Sequence, residues 1–127
     1  MSRYTFALAE PQDDAELRAR MAQIWMEGRV AVTFRREPSY FAASRLQGER
    51  VQVVKCVDTL QDRIVGMGSR AMTTAHVNGE ALGVGYLADL RGDADVRRGT
   101  LLARGYRFLR ELHCADPVAF YLSVIFD

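Results

Sequence analysis

Two neighbouring stretches of the chain carry residue types suited to binding a phosphate-bearing ligand. Residues 85–91 read Gly-Tyr-Leu-Ala-Asp-Leu-Arg, and residues 97–100 read Arg-Arg-Gly-Thr directly before a helical pattern. The order is therefore a strand, a short basic turn and an amphipathic helix. A helix start exposes unpaired N–H groups at the positive end of the dipole, which predicts a site for phosphate. The alternative is an ordinary basic helix start on the surface.

Asp89 is a candidate general base within the first of these stretches. A partly buried carboxylate within reach of an amine can accept its proton, directly or through water. A turn-capping residue or an ion-pair partner of Arg91 is an equally good interpretation of Asp89. Glu37, Glu80 and Asp127 are weaker candidates for the same role.

Several familiar motifs of catalysis and binding are missing from the chain. Residues 83–88 match the G-x-G-x-x-A spacing, but that fingerprint must open a helix and here it lies within a strand run. Lys55 follows no glycine pattern, so there is no Walker loop, and no G-x-S-x-G elbow occurs. The histidines and cysteines lack the spacing of metal ligands, so no metal site is predicted.

The composition is that of an ordinary globular protein. The 127 residues are 49% hydrophobic and 26% charged, and their length predicts one domain. A net charge of +1 argues against a general nucleic-acid binder. No stretch approaches the ~20 apolar residues of a membrane span, and the first residues lack the apolar run of a signal peptide. Two cysteines are too few for a disulfide framework, which predicts reduced thiols in a cytoplasmic protein.

The hydrophobic pattern predicts alternating strands and helices. Asp13 and Glu16 resemble a capping box at the start of a helix that Gly28 ends, and Pro38 resembles the first residue of a short helix. The Asn78-Gly79 dipeptide predicts a tight hairpin between two long strands. Strands are predicted at 4–9, 51–57, 64–77, 81–91 and 119–126, the last of them buried; helices at 39–46 and 101–112; and a strand or extended loop at 30–34.

Four segments together resemble the GNAT N-acetyltransferase superfamily. Residues 63–68, 77–80, 86–91 and 120–125 are similar to that family's third strand, the hairpin after it, the fourth strand and the fifth strand. The likeness spans most of the chain and is strongest from Arg63 onward. The family's phosphate loop reads Gln/Arg-x-x-Gly-x-Gly/Ala. Here Arg97 matches the first position, Thr100 and Leu102 stand at the two small positions, and Gly99 lies one residue early.

The resemblance implies an α/β fold with a mixed, mostly antiparallel sheet and helices on both faces. The fourth strand would carry a bulge, and the sheet would splay between it and the fifth strand. Acetyl-CoA would bind at the splay as the acyl donor, without a metal, and a small amine or peptide would attack it directly. Asp89 would be the catalytic base, and Tyr121 would be the nearby substitute for the family's tyrosine acid unless strand alternation points it into the core. Phe34 and Glu37 would contact the acceptor. Acetyl-CoA would be bound by Leu87, Asp89, Leu90, Arg91, Arg97, Arg98, Gly99, Thr100, Leu101 and Leu102.

The sequence stops at Asp127, whereas the family continues with a helix and two more strands that normally supply a tyrosine acid. We therefore expect residues 1–127 to form a single GNAT-like domain that lacks this part. Self-association or a following C-terminal segment would then cover the edge of the last strand. Two alternatives to an acetyltransferase stay open, namely a non-catalytic CoA-binding or regulatory module and a partner-binding domain without the ligand.

Overall fold

A computed structural model describes residues 2–23, 35–94 and 99–124 of the chain. Within them, five strands form one sheet whose spatial order follows the chain. The first four strands are antiparallel neighbours, and the fifth runs parallel to the fourth. The strands are β1 (Tyr4–Leu8), β2 (Arg50–Asp58), β3 (Arg63–Val77), β4 (Glu80–Gly92) and β5 (Phe120–Leu122), and the helices are α1 (Asp14–Gln23), α2 (Tyr40–Ser44) and α3 (Leu101–Ala115).

Helices pack on both faces of the sheet. Ile64 joins a buried cluster with residues of α1 and α2, whereas the next residue, Val65, joins a second cluster with Leu101 of α3. Consecutive strand residues point to opposite faces, so the two clusters lie on opposite sides of the sheet. The predicted fold class is therefore confirmed, a mixed and mostly antiparallel sheet with helices on both faces.

The hairpin between β3 and β4 is confirmed at the predicted dipeptide. Asn78 has φ 52° and Gly79 has φ 82°, the positive values that a type I′ turn requires. Val77 pairs with Glu80 across this turn. Local turn chemistry thus fixes the register of the two longest strands.

The first helix begins where the sequence predicts, but its predicted capping box is wrong, and the second helix begins later than predicted. The Asp13 carboxylate accepts the Glu10 N–H at 2.8 Å, and α1 begins one residue later. Glu16 does not close a capping box, because its carboxylate accepts the Ile64 N–H at 2.6 Å. Helix α2 begins at Tyr40 rather than Pro38. Its N-cap is Ser39, whose hydroxyl accepts an N–H of the first turn.

The prediction of a buried strand over residues 119–126 is also wrong for the part that the structure describes. The strand has three residues, and Phe120, Leu122 and Val124 are 38%, 58% and 60% exposed. Among the described residues β5 has a strand neighbour on one side only, so its apolar side chains are poorly covered. Gly28, the segment 30–34 and residues 125–127 lie outside the described part of the chain.

Candidate active site

A β-bulge interrupts strand β4, as predicted. Met67 pairs with Arg91 and Ser69 pairs with Ala88, so two residues, Asp89 and Leu90, face Gly68 alone. Asp89 has φ 57°, the left-handed conformation that such an irregularity often needs. The bulge leaves local backbone groups out of the regular ladder, where a ligand can use them.

Strands β4 and β5 pair over a short distance and then part. Their last backbone pair is Tyr86 with Leu122. One position further, the Ser123 hydroxyl donates a hydrogen bond to the Leu87 carbonyl at 3.1 Å. Strand β4 continues to Gly92 while the described part of the chain places no strand beside it there. Within the described residues the two strands therefore stop pairing after Tyr86 and Leu122, as the predicted splay requires, and the bulge begins three residues further along β4.

A cleft of about 250 Å³ runs from this opening beneath α3. Its walls are mostly apolar, with Leu90 and Leu102 exposed at 57% and 44%. Cys56 also lines the cleft, and burial raises the pKa of its thiol to about 11, so it carries no thiolate at neutral pH. The edge of β4 and the first turns of α3 line the same side of the cleft. Their lining residues are Leu87, Ala88, Leu90, Arg91, Leu101, Leu102, Gly105 and Tyr106.

Asp89 is held by two residues that are distant in the sequence. Its side chain is 6% exposed and accepts hydrogen bonds from Arg36 Nη2 at 3.0 Å and from the Tyr40 hydroxyl at 3.0 Å. Burial, followed by the Asp89 charge, raises the pKa of Tyr40. The expected alternative partner, Arg91, instead donates to the Leu90 carbonyl. Both oxygens of the candidate base are thus occupied.

Tyr121 directs its hydroxyl into a polar cluster away from the cleft. The hydroxyl accepts a hydrogen bond from Arg70 Nε at 2.9 Å and lies 2.7 Å from His113 Nδ1. Because Arg70 can only donate, the Tyr121 oxygen is the acceptor of that bond. Arg70 is fully buried and also donates to Gln52 and to the Asp116 carbonyl. Tyr121 therefore fastens β5 to β3 and α3.

Only some of the remaining predicted site residues lie in the part of the chain that the structure describes. Gly99 has φ 74°, and Thr100 is the N-cap of α3 without a side-chain hydrogen bond to it. Arg97, Arg98 and Phe34 lie outside the described residues. Glu37 forms an ion pair with Arg18 at 2.6 Å and is half exposed.

Sequence reasoning missed three residues at the site. Arg36 and Tyr40 lie 53 and 49 positions before Asp89 in the sequence. No local sequence pattern predicts that their side chains contact Asp89. Ser123 lies one residue past the end of β5 and belongs to no motif of the sequence, so only its contact with the Leu87 carbonyl identifies it.

Within the described ranges no helix is long and apolar enough to cross a bilayer. Those same residues contain no group of three or more His, Cys, Asp or Glu side chains placed to hold a metal ion.

No protein-family model matches the chain, and no curated protein matches it. Solved structures do match. An acetyltransferase from Trypanosoma brucei is 16% identical with a TM-score of 0.71, over 98% of this chain and 84% of that one. Glucosamine-6-phosphate N-acetyltransferase from Arabidopsis thaliana is 14% identical with a TM-score of 0.70, over 97% and 82%. A predicted acetyltransferase with acetyl-CoA from Clostridium acetobutylicum is 10% identical with a TM-score of 0.69, over 96% and 80%. The chain therefore has the fold of the GNAT acetyltransferases.

Proposed function

We propose that this protein is an acyl-CoA-dependent N-acetyltransferase that acts on a small amine or a peptide. One observation carries the proposal, namely that β4 and β5 part after Tyr86 and Leu122 and leave a bulge at Asp89 and Leu90 beside an apolar cleft. This arrangement combines an open strand edge, a hydrophobic channel and a helix start within one site.

The acyl donor would lie along the β4 edge. Its amide-containing pantetheine arm would pair with β4 as a further strand does, and Leu90 and Leu102 would cover its apolar parts. The phosphates would lie at the start of α3, where Gly99 and the N–H groups after it provide donors. Arg97 and Arg98 would add positive charge there, as the sequence predicts.

The reaction needs no protein nucleophile. A backbone N–H at the bulge would bind the thioester carbonyl and stabilise the oxyanion that develops on it. The amine nitrogen attacks this carbon, the N–C bond forms, and the C–S bond breaks with its electron pair remaining on sulfur. The proton lost by the nitrogen is carried by water to that sulfur, so CoA leaves as a thiol. Holding the two substrates in contact contributes most of the rate in such a scheme. The neutral Cys56 thiol is consistent with direct transfer.

The geometry supports a positioning role for Asp89. Its contacts with Arg36 and Tyr40 fix the bulge from the α1 and α2 side of the sheet. To accept a proton, the carboxylate would have to release one of these bonds. Its assignment as the general base therefore stays a prediction, as does the assignment of Tyr121 as the acid.

A charge placed in the cleft tests the binding site. Leu90→Glu should weaken acetyl-CoA binding at least tenfold, because a carboxylate without a partner is unfavourable in an apolar channel. Leu46→Glu is the matched control, since Leu46 is 90% exposed and does not line the cleft. Calorimetric titration with acetyl-CoA measures both variants, and thiol release with a panel of amines measures turnover. Equal affinity in the two variants would remove the cleft from the proposal.

The second candidate function is a module that binds CoA and catalyses no transfer. The Asp89 carboxylate favours it, because Arg36 and Tyr40 already hold both of its oxygens. Binding of acetyl-CoA with no thiol release for any amine in the panel would support this alternative.

A further inference from the structure

Helix α3 packs loosely on the sheet over most of its length. Only one of its 15 residues, Leu101, is buried. Beneath the helix, Val54 of β2 and Gly68 of β3 pair with each other and line the cleft, and both stay partly exposed. Protein interiors are normally filled to high density. The cleft is therefore unfilled space between a helix and a sheet.

The cleft crosses the sheet from β4 to β2 instead of following a single strand. Its outer part is lined by Leu90 of β4, and its inner part is lined by Val54 and Cys56 of β2. The inner part is closed toward β1, because a Cβ on Gly105 of α3 would lie only 3.2 Å from the Phe6 ring. It is thus a dead end two strands away from the outer part.

The inner part of the cleft is apolar. Among the described lining residues Arg91 is the only charged one, and it lies on β4 at the outer part. The Cys56 thiol is uncharged at neutral pH, because burial raises its pKa to about 11. The Ser69 hydroxyl donates a hydrogen bond to the Ala88 carbonyl at 3.2 Å. A polar group that entered here would lose water without gaining a partner, so the space suits a hydrocarbon chain.

We propose that the inner part of the cleft binds the acyl chain of the donor, so that the protein accepts straight-chain acyl-CoA donors longer than acetyl-CoA. This assignment rests on the proposed function. With the pantetheine arm along β4 and the thioester carbon beside the bulge, the chain continues beneath α3 toward Val54. The way from β4 to β2 is two strand spacings, roughly 10 Å, which is the extended length of a chain of about eight carbons. An acetyl group would leave this space empty.

Calorimetric titration with a series of donors tests the proposal. Acetyl-, butanoyl-, hexanoyl- and octanoyl-CoA share every group except the chain, so differences in their affinity report its methylenes. Taking one methylene out of water is worth about fourfold in affinity, and octanoyl-CoA should therefore bind about twentyfold more tightly than acetyl-CoA, or better. Octanoate alone should bind far more weakly, because it lacks the phosphates and the pantetheine arm.

A larger side chain in the inner part separates chain binding from a general affinity for apolar molecules. Val54→Phe should fill the space and lower the preference for octanoyl-CoA about fivefold or more, while the affinity for acetyl-CoA stays within about twofold. Val51→Phe is the matched control, because Val51 also lies on β2 but packs with the α1 and α2 cluster on the other face. It should retain the preference, and thermal unfolding of both variants verifies that they fold.

Nuclear Overhauser effects supply a readout that needs no variant. In the complex of the unaltered protein with octanoyl-CoA, the terminal methyl of the chain should show them to Val54 and to Leu109 of α3, which lines the same cleft.

The outcomes separate the two proposals. The chain assignment would be overturned by equal affinities for acetyl-CoA and octanoyl-CoA, by an unchanged preference in a folded Val54→Phe variant, by absence of the Overhauser effects, or by octanoate binding as tightly as octanoyl-CoA. Each of these results would leave the CoA site intact. Binding of no donor of any chain length to the unaltered protein would instead overturn the proposed function and this inference with it.

Discussion

Asp89 shows how one residue links the bulge to the opposite side of the sheet. Replacing it by Asn removes the negative charge that Arg36 and Tyr40 surround. Asp89→Asn should lower the free energy of unfolding by about 2 kcal/mol, because an arginine then loses its buried ionic partner. Urea denaturation measures this change. Adding Arg36→Met to the Asp89→Asn variant should lower the free energy of unfolding little further, because both substitutions break the same interaction between Arg36 and Asp89. An unfolding midpoint unchanged by Asp89→Asn would contradict the positioning role.

The pH dependence of turnover separates this role from base catalysis. If Asp89 only holds the bulge, Asp89→Asn lowers kcat but leaves the shape of the pH–rate profile intact. Loss of the limb at low pH would instead assign the carboxylate as the base.

Asp58 makes a second prediction at the residue scale. A hydrogen bond from Arg3 lowers the pKa of this carboxyl to about 2 from its ordinary value of 3.8. A carboxyl whose pKa is lower in the folded state stabilises the fold above its unfolded pKa, and that contribution is lost as pH falls toward the folded pKa. The melting temperature should therefore fall between about pH 4 and pH 2. Asp58→Asn should be less stable near pH 6 and show a smaller fall over this interval. Parallel falls in both proteins would contradict the assignment.

At the scale of elements, β5 is held beside β4 by close packing of a tyrosine on a glycine. A Cβ at Gly85 would lie 2.3 Å from Tyr121 ring carbons, whereas one at Gly83 would meet Val118 at 3.7 Å, an ordinary contact. Gly85→Ala should therefore destabilise the protein by about 1–3 kcal/mol, because the ring and β5 must move. Gly83→Ala is the control and should change stability far less. Similar unfolding curves for the two variants would show that β5 is not fastened in this way.

The sequence predicted those elements whose signals are local. The Asn78-Gly79 turn needs only its own backbone preference, and α3 follows from the spacing of its apolar residues. The capping box failed because Glu16 bonds to Ile64, 48 positions away. The burial of β5 failed because burial depends on which strand lies beside it. The bulge came from family resemblance, and the partners of Asp89 depend on contacts that no local pattern records.

For the whole molecule, the bulge connects the two faces of the sheet. The cleft lies beneath α3, with Cys56 and Leu101 in the cluster on that face. Asp89 is held from the other face, where Tyr40 belongs to the cluster with α1 and α2. The bulge thus lies between the cleft on one face of the sheet and the α1 and α2 cluster on the other.

The amide chemical shifts of the whole chain, recorded while acetyl-CoA is added, test this arrangement most directly. The account predicts saturable shifts concentrated at residues 87–91 on β4, at residues 99–106 at the start of α3 and at Ser123. Residues 44–49 on the opposite face should change little. Shifts confined to residues 44–49, or none at millimolar acetyl-CoA, would contradict the claim that the opening between β4 and β5 binds an acyl-CoA.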